Sequence, residues 1–221
     1  MTTDAQPAQV YIHVPFCRSR CPFCRFSAGF PDASFSPEPA PVRDVVEKTI
    51  ADILAFDFSG SRVAGITIGG GTPTILSAEL IRGLISAVLA SSRTRGAPDE
   101  IGYISLEVHP LDAGVNFLSA LREAGARRAS LGAQSFSARQ LLLLGRRVTA
   151  EQNLIAFESL RSAGFDNVNI DILLGHPGSD PGSVLADLDT VLRLSPEHVA
   201  LNTFYGWFER EIGRASCRER V

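Results

Sequence analysis

The amino-terminal stretch MTTDAQPAQ has neither the basic start nor the apolar core of a secretory signal, and nowhere does the chain hold an uninterrupted apolar run of membrane-spanning length. A basic excess is missing too. The formal net charge is −3, and no basic stretch is interleaved with aromatics, so the electrostatic footprint of a nucleic-acid binder is absent. No Gly-Lys-Ser/Thr follows the glycine run at 69–71, which excludes a phosphate loop. Cysteine is scarce: four residues, grouped three-plus-one, make no disulfide framework and fit a cytosolic setting in which free thiols persist. With 45% apolar and 20% charged residues, the 221-residue chain has the makings of one globular core.

What is present concentrates in one stretch. Residues 11–29 read YIHVPFCRSRCPFCRFSAG, with Cys17, Cys21 and Cys24 in a C-x3-C-x2-C spacing after an apolar run that ends at Pro15. Three thiols so close together cannot all pair with one another. In a loop stiffened by Pro22 they can point at one centre, which suits a metal or iron–sulfur ligand set. A four-iron cluster usually takes four cysteines, so three local ones leave one iron with an open position, much as an open position marks a catalytic zinc. A structural zinc completed by His13 or Cys217, or simply three buried thiols, is the alternative.

Elsewhere, apolar runs of strand length alternate with segments of helical period, which predicts βα units around a parallel sheet. Strands are expected at residues 10–14, 63–68, 101–108, 128–132, 167–174 and 198–204. Helices are expected at 42–56, with Val45, Val46, Ile50, Ile53 and Leu54 on one side, and from the Ser77 cap to about 90. Four more are expected at 115–124, 137–144, 149–163 and 183–194. Residues 30–41 hold four prolines and read as a loop. The fold class is α/β: an open, curved part-barrel of six strands, with binding groups at the carboxyl ends of the strands.

Alternation along each strand sorts its side chains into two faces. Val168, Ile170 and Ile172 oppose Asn167, Asn169 and Asp171; Ile104, Leu106 and Val108 oppose Tyr103, Ser105, Glu107 and His109. Ala129, Leu131 and Ala133 oppose Ser130, Gly132 and Gln134, and Val10, Ile12 and Val14 oppose Tyr11 and His13. Closed barrels fill their interior with branched apolar residues, whereas this inward face carries carboxylates, amides and glycines. A bound polar ligand or water would have to satisfy them. A solvated face of antiparallel type is the other reading.

The C-x3-C-x2-C spacing with Phe23 before the third cysteine resembles the signature of the radical S-adenosylmethionine (SAM) enzymes. The wider phrases YIHVPFC and CPFC resemble the family of oxygen-independent coproporphyrinogen III oxidases and their haem-chaperone relatives. The resemblance implies a (β/α)6 partial TIM barrel and a [4Fe–4S] cluster on Cys17, Cys21 and Cys24, with SAM bound to the open iron through its amino and carboxylate groups. It further implies reductive cleavage of SAM to a 5′-deoxyadenosyl radical, an electron donor such as flavodoxin or ferredoxin, and a tetrapyrrole or haem as small-molecule partner. In that family the GGGTP segment, matched here through Gly70, Gly71 and Thr72, meets the amino group of SAM. Glu107, Gln134, Arg146 and Asp171, within LEVHP, LGAQSF, LGRR and NIDILLG, match positions that bind SAM and adenosine groups. Tyr11 and Phe23 are expected beside the cluster and the nucleoside. His13, His109, His176 and His198 are not spaced as a metal set and read as structural.

The resemblance extends from about residue 11 to about residue 201. Arg25 and Phe26 follow Cys24, where the oxidases often carry a further cysteine, and their longer amino-terminal segment is lacking; both features favour the chaperone branch. Against it, Val148 stands where that branch tends to have His, EVHP replaces EANP, and GHPGSD replaces GLPGQ. A two-SAM methyltransferase and a zinc-stabilised binding domain complete the alternatives. Residues 1–208 are expected to form the part-barrel domain. Residues 209–221, including GRASCRERV, resemble a translated vector end and read as a non-native or disordered tail, in place of a carboxyl-terminal substrate domain.

Overall fold

The computed structural model describes residues 6–24, 29, 40–58, 61–92, 101–176 and 178–204. Six strands run in one sheet: β1 (Gln6–Val14), β2 (Ser61–Gly70), β3 (Tyr103–Val108), β4 (Arg128–Gln134), β5 (Asn167–Leu174) and β6 (His198–Thr203). They lie in chain order and every neighbouring pair is parallel. Between them run α1 (Ala40–Ala55), α2 (Ala78–Ser91), α3 (Val115–Glu123), α4 (Ala138–Leu143), α5 (Ala150–Ser162) and α6 (Pro181–Leu194), with both α4 and α5 in the β4–β5 connection. Parallel neighbours need crossovers, and these helices supply them. The sheet curls into a half-barrel with β1 and β6 at its edges.

Local chemistry sets most helix starts. Ser77, Ser137, Thr149 and Asp180 each accept a backbone N–H in the first turn of α2, α4, α5 and α6. Thr149 with Gln152 and Asp180 with Ser183 form reciprocal capping boxes, and Pro181 occupies the first turn of α6. The core lies between helices and sheet. Ile66, Ile68, Ile104, Leu106, Ala129, Leu131, Val168 and Ile170 are at most 1% exposed, and Ile81, Leu84, Leu118, Leu121 and Leu160 close over them. Each such aliphatic side chain contributes about 1.5–3 kcal/mol by leaving water.

The predicted elements are all present, with shifted ends. β1 begins at Gln6, β2 runs on through Gly69 and Gly70, and β4 reaches Gln134. On α1 the expected apolar stripe is too wide. Val42 and Val46 are buried and Ile50 and Ile53 pack on the core, but Val45 and Leu54 are 42% and 54% exposed. Among the described helices it packs mainly on α2, and the narrow line 42, 46, 50, 53 suffices for that contact. Most of the proline-rich loop, Arg25, Phe26, and the tail with Cys217 lie outside the described residues. Among the described residues no helix is long and apolar enough to cross a membrane.

Truncating Leu131 to Ala under the helices is expected to cost about 2–5 kcal/mol in urea unfolding, while Leu142→Ala costs less than about 0.5 kcal/mol. Leu142, 79% exposed, leaves no cavity when shortened. Equal costs would contradict this assignment of faces.

Candidate functional site

The all-parallel ladder settles which face is which: helices cover the apolar side, so the polar side is the lumen. At its carboxyl-end mouth lies a cavity of about 820 Å³. Cys17, Cys21, Cys24 and Phe23 form one wall, Gly70, Gly71 and Thr72 another, and Glu107, Gln134, Arg146 and Asp171 the interior. Tyr11 is not in this wall; it is 53% exposed and stands next to Glu107, which together with burial raises its pKa.

The cysteine loop is laid on the glycine run by backbone bonds. Gly71 N–H donates to Val14 O (2.8 Å) and Thr72 N–H to Phe16 O (2.7 Å), while Cys17 N–H reaches Gly29 O and Gly29 N–H reaches Pro15 O. A Cβ on Gly71 would run into the Phe16 carbonyl, and Gly70 has φ 110°, so glycine is required at both positions. Gly70 N–H also donates to Glu107 Oε2 (3.1 Å), which fixes that carboxylate over the end of β2.

All three thiols are free and partly exposed. Thr72 Oγ1 donates to Cys17 Sγ (3.4 Å), a contact that favours that thiolate, and Arg146 Nη1 donates to Cys21 Sγ (3.6 Å). Burial pushes the Cys17 thiol up, with Cys24 and Cys21 adding to the rise and Thr72 and Arg146 opposing it. Thiols that feel one another's charge share one small region. Among the described residues no three Cys, His or carboxylate groups gather as ligands of a single ion. Three thiols on the wall of one cavity suit the donor set of a polynuclear iron–sulfur cluster with one position left open.

Arg146 Nη2 donates to Gly132 O (2.7 Å), yet its Nε is buried without a partner, an unmet donor beside the cavity. Asp171 accepts from Asn169 Nδ2 (2.8 Å) and, more distantly, Ser130 Oγ. Burial raises the pKa of both interior carboxylates, and Asp171 adds to the rise at Glu107. His109, read as structural from the sequence, also lines the cavity. Its Nδ1 accepts from Leu111 N–H, and burial, with Arg146 and Arg18 nearby, lowers its pKa to about 3, so the ring stays neutral.

Other supporting residues were invisible in the sequence. Gln134 has φ 68°, at an irregularity in the β4–β5 register. Its flanks are held by Asn153 Nδ2, donating to Ala133 O and Ser135 O, and by buried Asp187 of α6, which accepts from Ser135 Oγ and Phe136 N–H, both at 2.7 Å. In the cysteine loop, Arg18 pairs with Asp112 (2.9 Å), whose other oxygen accepts from Thr74 Oγ1.

A family model described as "Radical SAM superfamily" matches residues 11–191. The chain belongs to that superfamily. It is 35% identical over 202 residues to the oxygen-independent coproporphyrinogen III oxidase of Paracoccus denitrificans, covering 90% of this chain and 42% of that protein. To the heme chaperone HemW of Lactococcus lactis it is 31% identical over 196 residues, covering 89% and 48%. The structure of the Escherichia coli coproporphyrinogen III oxidase HemN, a radical SAM enzyme, superposes with a TM-score of 0.76 at 27% identity, covering 90% of this chain and 44% of that one. This radical SAM chain therefore spans less than half the length of these relatives, and its half-barrel is theirs.

Removing the Asp187 carboxylate strands two buried donors, so Asp187→Ala should cost about 1–3 kcal/mol in chemical unfolding. Combined with Ser135→Ala, the loss should fall short of the sum of the single losses, because one shared bond is counted twice. Strict additivity would contradict the clasp.

Proposed function

We propose that this chain is the radical SAM core of a coproporphyrinogen III oxidase-like protein acting on a tetrapyrrole in the cytoplasm. One observation carries the proposal: three free thiols and a set of carboxylate, amide and guanidinium side chains line the same cavity at the carboxyl ends of the strands. Cys17, Cys21 and Cys24 would hold a [4Fe–4S] cluster, and Phe23, Gly70, Gly71, Thr72, Glu107, Gln134, Arg146 and Asp171 would hold SAM, whereas Tyr11, outside the cavity wall, would not touch it. Held there, cluster and SAM would supply reductive one-electron chemistry at the sulfonium, the electron coming from an external reductant.

The residues themselves bind and orient. An arginine with an unmet Nε suits the methionyl carboxylate, and Asp171 suits ribose hydroxyls. Glycines at 70 and 71 let a ligand amine approach the backbone carbonyls at the end of β2. Glu107 and Asp171 give the cavity a negative charge that favours a sulfonium once both are ionised.

A second reading, a haem chaperone that binds and delivers haem without this chemistry, rests on the similarity to HemW. Anaerobically reconstituted protein given a reductant should form 5′-deoxyadenosine, and Cys17→Ala should lose both iron and this product. Iron binding with haem transfer but no 5′-deoxyadenosine under any reductant would favour the chaperone.

Because both carboxylate pKa values are raised, SAM affinity should fall as pH drops, beginning above the ordinary carboxylate range, as Glu107 and Asp171 take up protons. Calorimetric titration of SAM across about pH 5 to 8 reads this, and Asp171→Asn should flatten the profile. A profile independent of pH in the parent protein would contradict these two groups as the binding charges.

A further inference from the structure

His109, a half-buried residue just past the end of β3, lines the cavity but has no part in the binding roles above. Its two ring nitrogens do different things. Nδ1 accepts from Leu111 N–H (3.3 Å) and caps the short turn at 110–112. With Nδ1 an acceptor, the proton of the neutral imidazole sits on Nε2, at the far edge of the ring. That N–H makes no hydrogen bond among the described residues. A cap needs only an acceptor, which Asn, Asp or Ser supplies on a shorter side chain. The second nitrogen is therefore surplus to the cap: a spare donor in the wall of a polar cavity.

Hydrogen bonds tie this ring to the cysteine loop. His109 N–H donates to Thr74 Oγ1 (3.2 Å), the Thr74 hydroxyl donates to Asp112 Oδ2 (2.9 Å), and Asp112 Oδ1 pairs with Arg18, the residue after Cys17. Thr72, in the same turn as Thr74, donates to Cys17 Sγ. Arg146, the other guanidinium that bears on the imidazole, donates to Cys21 Sγ. Both charged neighbours of the ring are thus fastened to the stretch that carries the thiols. Burial first, then these two cations, hold the His109 pKa down to about 3, so near neutral pH the ring donates without adding a third positive charge. Two guanidiniums and an unused N–H at one corner make surroundings for an anion. Thiolates and sulfides of an iron–sulfur cluster have that character, and reduction makes them more negative.

We propose that His109 donates its Nε2–H to a sulfur of the iron–sulfur cluster on Cys17, Cys21 and Cys24, and thereby sets the potential at which that cluster is reduced. The proposal rests on the reading that these cysteines hold such a cluster. Reduction adds one negative charge, so the donor binds the reduced form more strongly and raises the potential. His109 is in this respect a tuning group for the electron-accepting step, beyond its role as a cap.

The test compares the reconstituted parent with His109→Asn, whose amide oxygen keeps the cap while its nitrogen stays nearer the backbone than Nε2, and with His109→Gln, which returns an N–H farther out. A redox titration followed by electron paramagnetic resonance, without SAM, reads the midpoint potential. His109→Asn should lower the ratio of reduced to oxidised cluster at a fixed potential about tenfold, a negative shift of about 59 mV for one electron, and His109→Gln should recover part of it. Pulsed spectra of the reduced parent, grown with histidine labelled with heavy nitrogen, should show a weak nitrogen coupling that His109→Asn loses. A cap alone would move neither readout. Equal potentials in parent and His109→Asn would overturn the proposal, and so would a labelled parent without the coupling, whatever the stability of the variants. An unchanged potential with weakened SAM binding would overturn it too, assigning the donor to the SAM carboxylate. A parent that takes up no iron would overturn the cluster reading and this proposal together, whereas a parent with iron and a SAM response but no effect of His109→Asn would sink this proposal alone.

Discussion

The structure depends on how closely two stretches of backbone approach at the mouth of the barrel. Only glycine at 71 lets the end of β2 lie under the Phe16 carbonyl, glycine at 70 takes φ 110° against the His13 ring, and the bonds from Gly71 to Val14 and Thr72 to Phe16 then set the cysteine loop over the lumen. The same strand end places Gly70 N–H against Glu107, so cysteine loop, glycine run and lumen carboxylate share one frame. Any Cβ at 71 would have to push the loop away.

Around that frame the fold divides its interior by chemistry. Helices cover branched aliphatics on one face of every central strand, and the opposite face collects Ser130, Asn169, Asp171 and Glu107. Polar groups so placed in a protein core carry a cost unless they are partnered. Asn169 and Ser130 meet part of it at Asp171, but the buried Nε of Arg146 remains unpaired.

Much of this was legible in the chain because it is local. The cysteine spacing, the GGGTP run, the capping residues Ser77 and Thr149, and the alternation in Asn167–Leu174 each sit within a few residues, and the parallel ladder bears out the lumen assignment. The stripe on α1 was over-read because periodicity reveals an apolar side but not how much of it a single neighbouring helix can cover. Asp187, Asn153 and Asp112 were not legible: each acts on a turn far away in sequence. Gln134 at positive φ had no signal, since neither Gly nor Asn marks it. The alternation placed His109 on the polar face of β3 with Glu107, but its lack of metal-ligand spacing led to a structural reading, whereas it lines the cavity.

The central claim is that Cys17, Cys21 and Cys24 would hold a [4Fe–4S] cluster beside a cavity whose polar groups would hold SAM. The most direct measurement is an electron paramagnetic resonance spectrum of the oxygen-free, reduced protein before and after addition of SAM, taken with iron and sulfide analysis. The account predicts about four of each per chain and a spectrum that changes when SAM is added. Zinc in place of iron, or an iron signal indifferent to SAM, would contradict it.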